Sequence, residues 1–214
     1  MADLLAQRPE QTSTNSGEMR IRDANGSVRE VPIRFEVIPH PAAWLNIYEA
    51  SPAGGKPGEV LTIIHSDTQP NQYSIRPLLP NGSADSSSRI VSGNQTMVAF
   101  AGSDFWVADL GLEFLHWPKQ LLLKKEMRRS RSCNVLESIN ADPIAGAYSR
   151  VRCWIDIESG GIVLAQAFDS QDKLLKEFAP KEIKKIQGEW QLEEMEIRNV
   201  QAGSRTRVVF NLGQ

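Results

Sequence analysis

Cysteine and histidine are scarce in this sequence, and long apolar runs are missing. Two cysteines, Cys133 and Cys153, are too few for a disulfide-scaffolded miniprotein or a four-cysteine zinc site. The histidines His40, His65 and His116 are scattered, and none has a second ligand two to four residues on. Neither a metal nor a cofactor is therefore expected. No apolar stretch approaches the ~18 residues that span a bilayer, so no transmembrane segment is expected. Charge of one sign is also lacking, since 24 Lys+Arg against 26 Asp+Glu leave a net charge of −2. A dedicated nucleic-acid binder is usually strongly basic, so nucleic acid is not an expected partner. The G-x-S-x-G elbow, the P-loop and the G-x-G-x-x-G fingerprint are all absent. Gly54-Gly55-Lys56 is followed by Pro57, which has no N–H to offer a phosphate. No nucleophile, base and orienting group come together in any motif, so the protein is not expected to be an enzyme.

What is present is a soluble-protein composition with 41% hydrophobic residues, enough to bury a core. At roughly 150 residues per domain, the expectation is one domain over 1–214. The dominant period is two. In Val31-Pro32-Ile33-Arg34-Phe35-Glu36-Val37 apolar and polar residues alternate, the mark of a strand with one buried face. Asn25-Gly26 before it is a hairpin signal, because both positions tolerate positive φ. Further strands are expected at 43–50, 58–66, 72–77 and 95–101, then at 131–139, 148–157, 161–169, 172–186, 189–200 and 204–211. The short connections point to a sequential antiparallel meander.

One segment breaks the pattern. Ser103-Asp104 is a good N-cap pair, and apolar residues then lie nearly all around a helix ended by Pro118. Such a helix, over 103–117, should be buried or sit over an apolar cavity. The expected fold is mainly β, formally α+β: a long, curved antiparallel sheet with a short helix on its concave face.

Lys124, Lys125, Arg128, Arg129 and Arg131 form a basic patch, read as a solvated loop or helix end, or as a surface for anionic headgroups or an acidic partner. A hairpin centred on residue 143 sets Cys133 opposite Cys153, with Cα atoms about 4.5 Å apart at a non-hydrogen-bonded pair. That separation admits a disulfide; two buried thiols are the alternative. Met1–Pro9 reads as the last turns of a helix stopped by Pro9. No signal peptide is visible. Either the protein is cytoplasmic, or a leader and part of a first helix precede this sequence.

The second half carries an ordered series of motifs. Cys133-Asn134-Val135-Leu136-Glu137-Ser138 leads to Tyr148, Arg150-Val151 and Trp154-Ile155-Asp156. Ala167-Phe168-Asp169, Lys173-Leu174-Leu175-Lys176, Gly188-Glu189-Trp190, Met195-Glu196-Ile197 and Ser204-Arg205-Thr206-Arg207 follow. The series, with the 103–118 segment, resembles the outer-membrane lipoprotein-sorting family of LolA/LolB-type carriers, in its uncharacterised bacterial branch. The likeness covers about 100–211 well and the first hundred residues loosely.

The resemblance implies a half-open barrel of about eleven antiparallel strands, with helices covering the open, concave side. Residues 1–9 would end the first helix, 103–117 would be the plug helix and 131–211 the C-terminal meander. It implies a monomeric, non-catalytic carrier in the periplasm or otherwise outside the cytoplasmic membrane, its leader removed. The apolar cavity would take lipoprotein or lipid acyl chains, and an inner- or outer-membrane protein would be a second partner. Candidate cavity residues are Phe105, Trp106, Leu110, Leu112, Phe114 and Trp117 on the plug, with Ile33, Phe35, Ile47, Ile63, Ile155 and Phe168 on strands. Ordinary core packing is the alternative for each. The alternative function is an envelope-stress sensor or protein-binding module of the same fold that transports no lipid. No lipobox cysteine opens the sequence, so the resemblance does not extend to a lipid anchor of its own.

Overall fold

A hairpin forms at the Asn25-Gly26 signal, with a loop over 23–27 in which Gly26, and not Asn25, takes positive φ. β1 (Ser13–Arg22) turns into β2 (Val28–His40), and Asp23 Oδ1 accepts the N–H groups of Asn25 and Ser27. Gly26 takes φ +88°, open to glycine at no steric cost. The computed structural model describes residues 8–66, 69–79, 81, 83, 85, 87–186 and 189–212. Eleven further strands follow: β3 (Ala43–Ala50), β4 (Gly58–Ser66), β5 (Gln72–Leu78), β6 (Arg89–Val91), β7 (Lys119–Arg128) and β8 (Arg131–Ile139). Then come β9 (Arg150–Asp156), β10 (Ile162–Phe168), β11 (Leu174–Ile186), β12 (Glu189–Asn199) and β13 (Ser204–Asn211).

All thirteen form one antiparallel sheet in the order β6-β5-β4-β3-β2-β1-β13-β12-β11-β10-β9-β8-β7. Each hairpin pairs sequence neighbours, and β1 joins β13 from Ser16↔Asn211 to Arg22↔Arg205. The first and last strands therefore meet mid-sheet, and the two free edges, β6 and β7, are consecutive in sequence. The segment 92–118 crosses from one edge to the other.

Four expectations are corrected. Among the described residues the strand count is thirteen, not eleven. The expected strand at 95–101 is instead a 3-10 turn (Gly93–Thr96) and a single bridge, Ala99↔Trp106. A strand, β7, occupies 119–128, where a bulge between Leu122 and Lys124 hides the alternation. The 103–117 helix is also absent as such. It is split into α1 (Val107–Leu110) and a 3-10 turn (Glu113–His116), because Leu112 between them adopts φ +49°, outside any right-handed helix. Short helical turns, not helices, thus cover the concave side. The expected N-terminal helix at 1–9 lies almost wholly outside the described residues.

Period two places the core on the inner face. Met19, Val31, Ile33, Leu61, Ile63, Tyr73, Ile197, Val208 and Phe210 form one cluster with Phe105 and Val107 of the plug. Val151, Cys153, Ile155, Ala165 and Ala167 form a second with Phe114 and Leu115. A third, with Cys133, Val135, Trp154 and Leu164, lies on the opposite side of β8–β10. The β7–β8 turn is tied beside it, with Arg128 5.2 Å from the Trp154 ring centre and Arg129 donating to Pro180 O at 2.9 Å.

The β1–β13 junction depends on a missing side chain. A Cβ on Gly17 would lie 2.1 Å from the Val209 carbonyl oxygen and 2.9 Å from the Phe210 Cα. Backbone atoms cannot yield as a side-chain tip can. Gly17→Ala is expected to cost about 1–3 kcal/mol by overpacking. Gly161→Ala, where the nearest neighbour is the Ser159 hydroxyl at 3.4 Å, should change little. Urea midpoints of the two variants check this; equal midpoints would contradict it.

Candidate functional site

The inner face is apolar, so the charged groups set into it define the site. Lys176 on β11 is buried, with 2% of its side chain exposed. Its Nζ donates to the Asp104 carbonyl oxygen at 2.6 Å, lies 3.7 Å from Asp109 Oδ2 and sits 3.5 Å from the Trp106 ring centre. All three partners belong to the plug. A bulge delivers the lysine: Ala167 pairs with Lys176 but Phe168 with Leu174, so Leu175 is the extra residue. Leu175 and Lys176 are consequently both buried.

Asp109 Oδ2 accepts the Trp106 N–H at 2.8 Å, and Tyr148 donates its hydroxyl to Oδ1 at 2.8 Å. Tyr148 also stacks on Trp106 with ring centres 4.5 Å apart. Asp104 was expected as a helix cap. Its carboxylate instead accepts the hydroxyls of Ser204 and Thr206 on β13, and its own N–H donates to Thr206 Oγ1 at 2.9 Å. Burial pushes the Lys176 ammonium down to about 8, against the pull of Asp109 and Asp104. Burial likewise pushes the Asp109 carboxyl up, opposed by Lys176 and by its hydrogen bonds.

The other end of the plug is held from β5 and the residue before it. Tyr73 donates to Glu113 Oε2 at 2.7 Å, and Asn71 Nδ2 donates to the Gly111 carbonyl at 2.8 Å. Asn71 Oδ1 lies 3.0 Å from His65 Nδ1 and must act as acceptor, so Nδ1 carries the proton. His65 Nε2 is then a buried acceptor with no partner among the described residues. The ring stacks on Trp44 at 4.8 Å. Burial pushes the His65 imidazole down to about 4, against the Asn71 hydrogen bond and with help from His116. Gly111 admits nothing larger, since a Cβ there would lie 2.4 Å from the Tyr73 hydroxyl. Beyond it, Gln120 Nε2 donates to the carbonyls of Phe114 and Trp117, both at 2.9 Å.

Between plug and sheet is a cavity of about 20 Å³. It lies between Leu112 and Phe114 on one side and Val151, Ala165, Ala167 and Phe178 on the other, with Asp109, Tyr148 and Lys176 also lining it. That is room for about one water molecule.

Of the residues expected to line a cavity, Ile33, Ile63 and Phe105 are in the first cluster, with Phe35 and Leu110 packed against it. Phe114 and Ile155 are in the second, with Trp106, Leu112 and Trp117 against it. Ile47 and Phe168 face the other way. Ile47 pairs with Thr62, out of phase with inward Tyr48 and Ala50, and Phe168 lies under Arg150, 3.7 Å from its guanidinium carbon. Only Leu112 and Phe114 reach the small cavity. Sequence reasoning missed Lys176, Asp109, Tyr148, Tyr73 and Glu113. Asp109 and Glu113 were a usable signal: two acids four apart in a segment otherwise apolar need buried partners.

The disulfide does not form, because both cysteines are free and buried. Cys133 pairs with Asp156 and Cys153 with Leu136. The register is therefore shifted by three residues from the expectation, an odd number, which places the thiols on opposite faces. Asn140, donating to the Tyr148 carbonyl at 3.1 Å, shapes the intervening loop. The basic patch lies on β7 and its turn, partly paired, with Lys124 on Glu126 and Arg131 on Asp156.

A family model described as uncharacterized-protein-like matches residues 49–212, more than half of the chain. Three solved structures share the fold. A DUF1329 family protein from Desulfovibrio piger superposes with a TM-score of 0.74 at 17% identity, over 99% of this chain and 87% of that one. A domain described as an outer membrane lipoprotein-sorting protein, from Vibrio parahaemolyticus, gives 0.74 at 20% identity, over 100% and 92%. A LolA superfamily protein from Nitrosomonas europaea gives 0.62 at 14% identity, over 98% and 88%. No curated protein matches.

Two predictions follow from the anchors. Lys176→Met leaves Asp109 buried without its cation and should cost about 3–5 kcal/mol. Adding Asp109→Asn, which removes the stranded charge, should recover part of that loss. Urea unfolding of the single and double variants measures the coupling; a double variant no better than the single would refute it. For His65 the folded pKa lies below the unfolded value of about 6.5, so the folded state resists protonation. Its cost is absent above pH 6.5 and grows as pH falls toward 4, to roughly 3 kcal/mol. His65→Phe, which keeps an aromatic ring beside Trp44, should flatten the fall in urea midpoint between pH 7 and 5. An unchanged slope would remove His65 as its source.

Proposed function

The chain belongs to this uncharacterized, DUF1329-like family on the LolA-like fold, and from that premise we propose that it is a non-catalytic carrier of acyl chains, acting outside the cytoplasmic membrane. The observation that carries the reading is an open sheet with a continuous apolar inner face, covered by a plug of two short helical turns. The cargo is a lipoprotein or another lipid, and the interior takes its acyl chain by burial alone. Each methylene removed from water contributes about 0.8 kcal/mol. No charge transfer or bond chemistry is required.

The 20 Å³ cavity is far below the roughly 300 Å³ at which ligand pockets begin, so the described state is the closed one. Loading then requires the plug to move. The half that carries Leu112 and Phe114 is held by Tyr73 and Asn71, and its displacement opens the sheet face behind it. The acyl chain replaces the plug side chains against Val151, Ala165, Ala167 and Phe178. Ile33, Phe35, Ile63 and Ile155 extend the same face, and Phe105, Trp106, Leu110 and Trp117 extend the cover.

Native mass spectrometry of protein purified with bacterial membrane extract is expected to show an acyl-containing ligand, and a fluorescent fatty acid is expected to bind. Phe114→Ala removes a side chain from both plug and cavity. Stability should fall by about 3–5 kcal/mol, while affinity for the probe rises. Phe114→Leu is the milder variant if the first unfolds. No bound acyl ligand, no probe binding and no gain in either variant would end the carrier reading. Capture of a specific membrane protein without lipid transfer between vesicles would replace it with a protein-binding role.

A further inference from the structure

Among the described residues β7 is a free edge of the sheet, and its exposure does not follow from the fold. Leu121, Leu122, Leu123 and Met127 expose 39%, 63%, 42% and 66% of their surface. A half-buried strand normally hides every second side chain. Here a bulge between Leu122 and Lys124 puts Leu123 out of register, so leucines stand on both faces and on the rim. Ile157, 46% exposed, continues the apolar surface past Met127, because its N–H bonds the carbonyl of Ser132, the partner of Met127.

Cations surround these side chains. Lys119, Lys124, Lys125, Arg128 and Arg129 are all exposed. Within 119–129 they are five against one acid, Glu126, although the whole chain has a net charge of −2. Glu126 is itself engaged by Lys124 and by the Trp154 indole N–H.

We propose that β7 and its turn are a docking edge for an anionic lipid bilayer. Leu121–Leu123 and Met127 reach the boundary between headgroups and acyl chains, and the flanking lysines and arginines meet the lipid phosphates. Apolar area combined with cationic flanks is what holds peripheral elements on anionic membranes. Two features argue against a partner strand in this place. Lysines and a bulge are the devices that keep sheet edges from pairing. A lipid surface needs no hydrogen-bond register, so it tolerates both. The depth is limited for the same reason: the unpaired backbone groups of the edge would be costly in hydrocarbon, but water and phosphate satisfy them at headgroup level.

The inference stands apart from cargo binding. The full chain is floated with phosphatidylcholine vesicles, with and without phosphatidylglycerol, in low and high salt. Binding should require the anionic lipid and weaken with salt. A cation near such a surface contributes roughly fivefold, so Lys119→Gln with Lys125→Gln should reduce binding about 25-fold. Leu122→Gln should reduce it about tenfold. Urea midpoints and fluorescent fatty-acid binding in vesicle-free buffer should stay at the unsubstituted value for these variants, which separates this result from failure of the carrier reading. Equal binding to neutral vesicles, binding to neither, or variants that bind like the parent would overturn the proposal. So would a concentration-dependent dimer, seen by light scattering and lost in Leu122→Gln, in the absence of vesicle binding.

Discussion

A buried ammonium must find its partners nearby, and Lys176 finds its three nearest on one segment. It sits among Val151, Ala165, Ala167 and Phe178, beside a cavity with room for about one water molecule. The Asp104 carbonyl, the Asp109 carboxylate and the Trp106 ring replace the lost water. Because these partners are within six residues of each other, satisfying one cation fixes the path of the plug from 104 to 109. Asp104 carries the constraint on to β13 through Ser204 and Thr206. Tyr148 carries it to the loop before β9 through Asp109. A cation on β11 thereby ties the plug to the two flanking parts of the sheet.

The strand order gives the plug its place. A meander whose first and last strands pair has its break wherever the chain leaves the pattern, and this chain leaves it between β6 and β7. The segment that fails to form strands is the one that must bridge the opening. Its aromatic and aliphatic residues then have an apolar face to cover, which explains why apolar side chains surround it on nearly all sides. Gly111 and Leu112 divide it in two. The first half is anchored by Asp104 and Asp109, the second by Glu113 and the Gly111 carbonyl.

What could be read from the sequence was what local pattern decides. Val31, Ile33 and Phe35 alternate with Arg34 and Glu36, and the strand and its inward face follow. Asn25-Gly26 marks its turn, which Asp23 completes. The strands from 131 to 211 fall near their expected bounds for the same reason. Ile47 sits on the opposite phase of a regular strand from the one expected, but the larger errors have a bulge or a left-handed residue behind them. Leu121–Leu123 conceal a strand because the bulge at Leu123 breaks period two. Lys176 points inward because Leu175 is bulged, and no sequence window shows which residue a strand will bulge. Leu112 at φ +49° cuts a helix that its residues would otherwise favour. These conformations are chosen by tertiary contacts, with the buried lysine on one side and Tyr73 against Gly111 on the other. The family resemblance, in contrast, rests on the order of short motifs, which survives such local irregularities.

The two halves of the plug differ in what their removal costs. Lifting the second half exposes Leu112, Phe114, Leu115 and Trp117, four side chains at about 2 kcal/mol each. It also breaks the Tyr73–Glu113 and Asn71–Gly111 hydrogen bonds and the two that Gln120 donates to the Phe114 and Trp117 carbonyls, each about 1 kcal/mol net. The total is about 12 kcal/mol. Some twelve methylenes of an acyl chain, laid on the sheet face so exposed, contribute about 10 kcal/mol in return. The first half adds Phe105 and Val107, both buried, and the Lys176 cluster, whose disruption would strand a charge. One acyl chain cannot offset that. For the carrier proposed above, the balance puts exchange at the second half, with Gly111 and Leu112 as the hinge and the lysine cluster as the fixed side. A near-equality of plug and acyl chain is also what a carrier needs, since a face that bound its cargo much more strongly than its own cover would not release it.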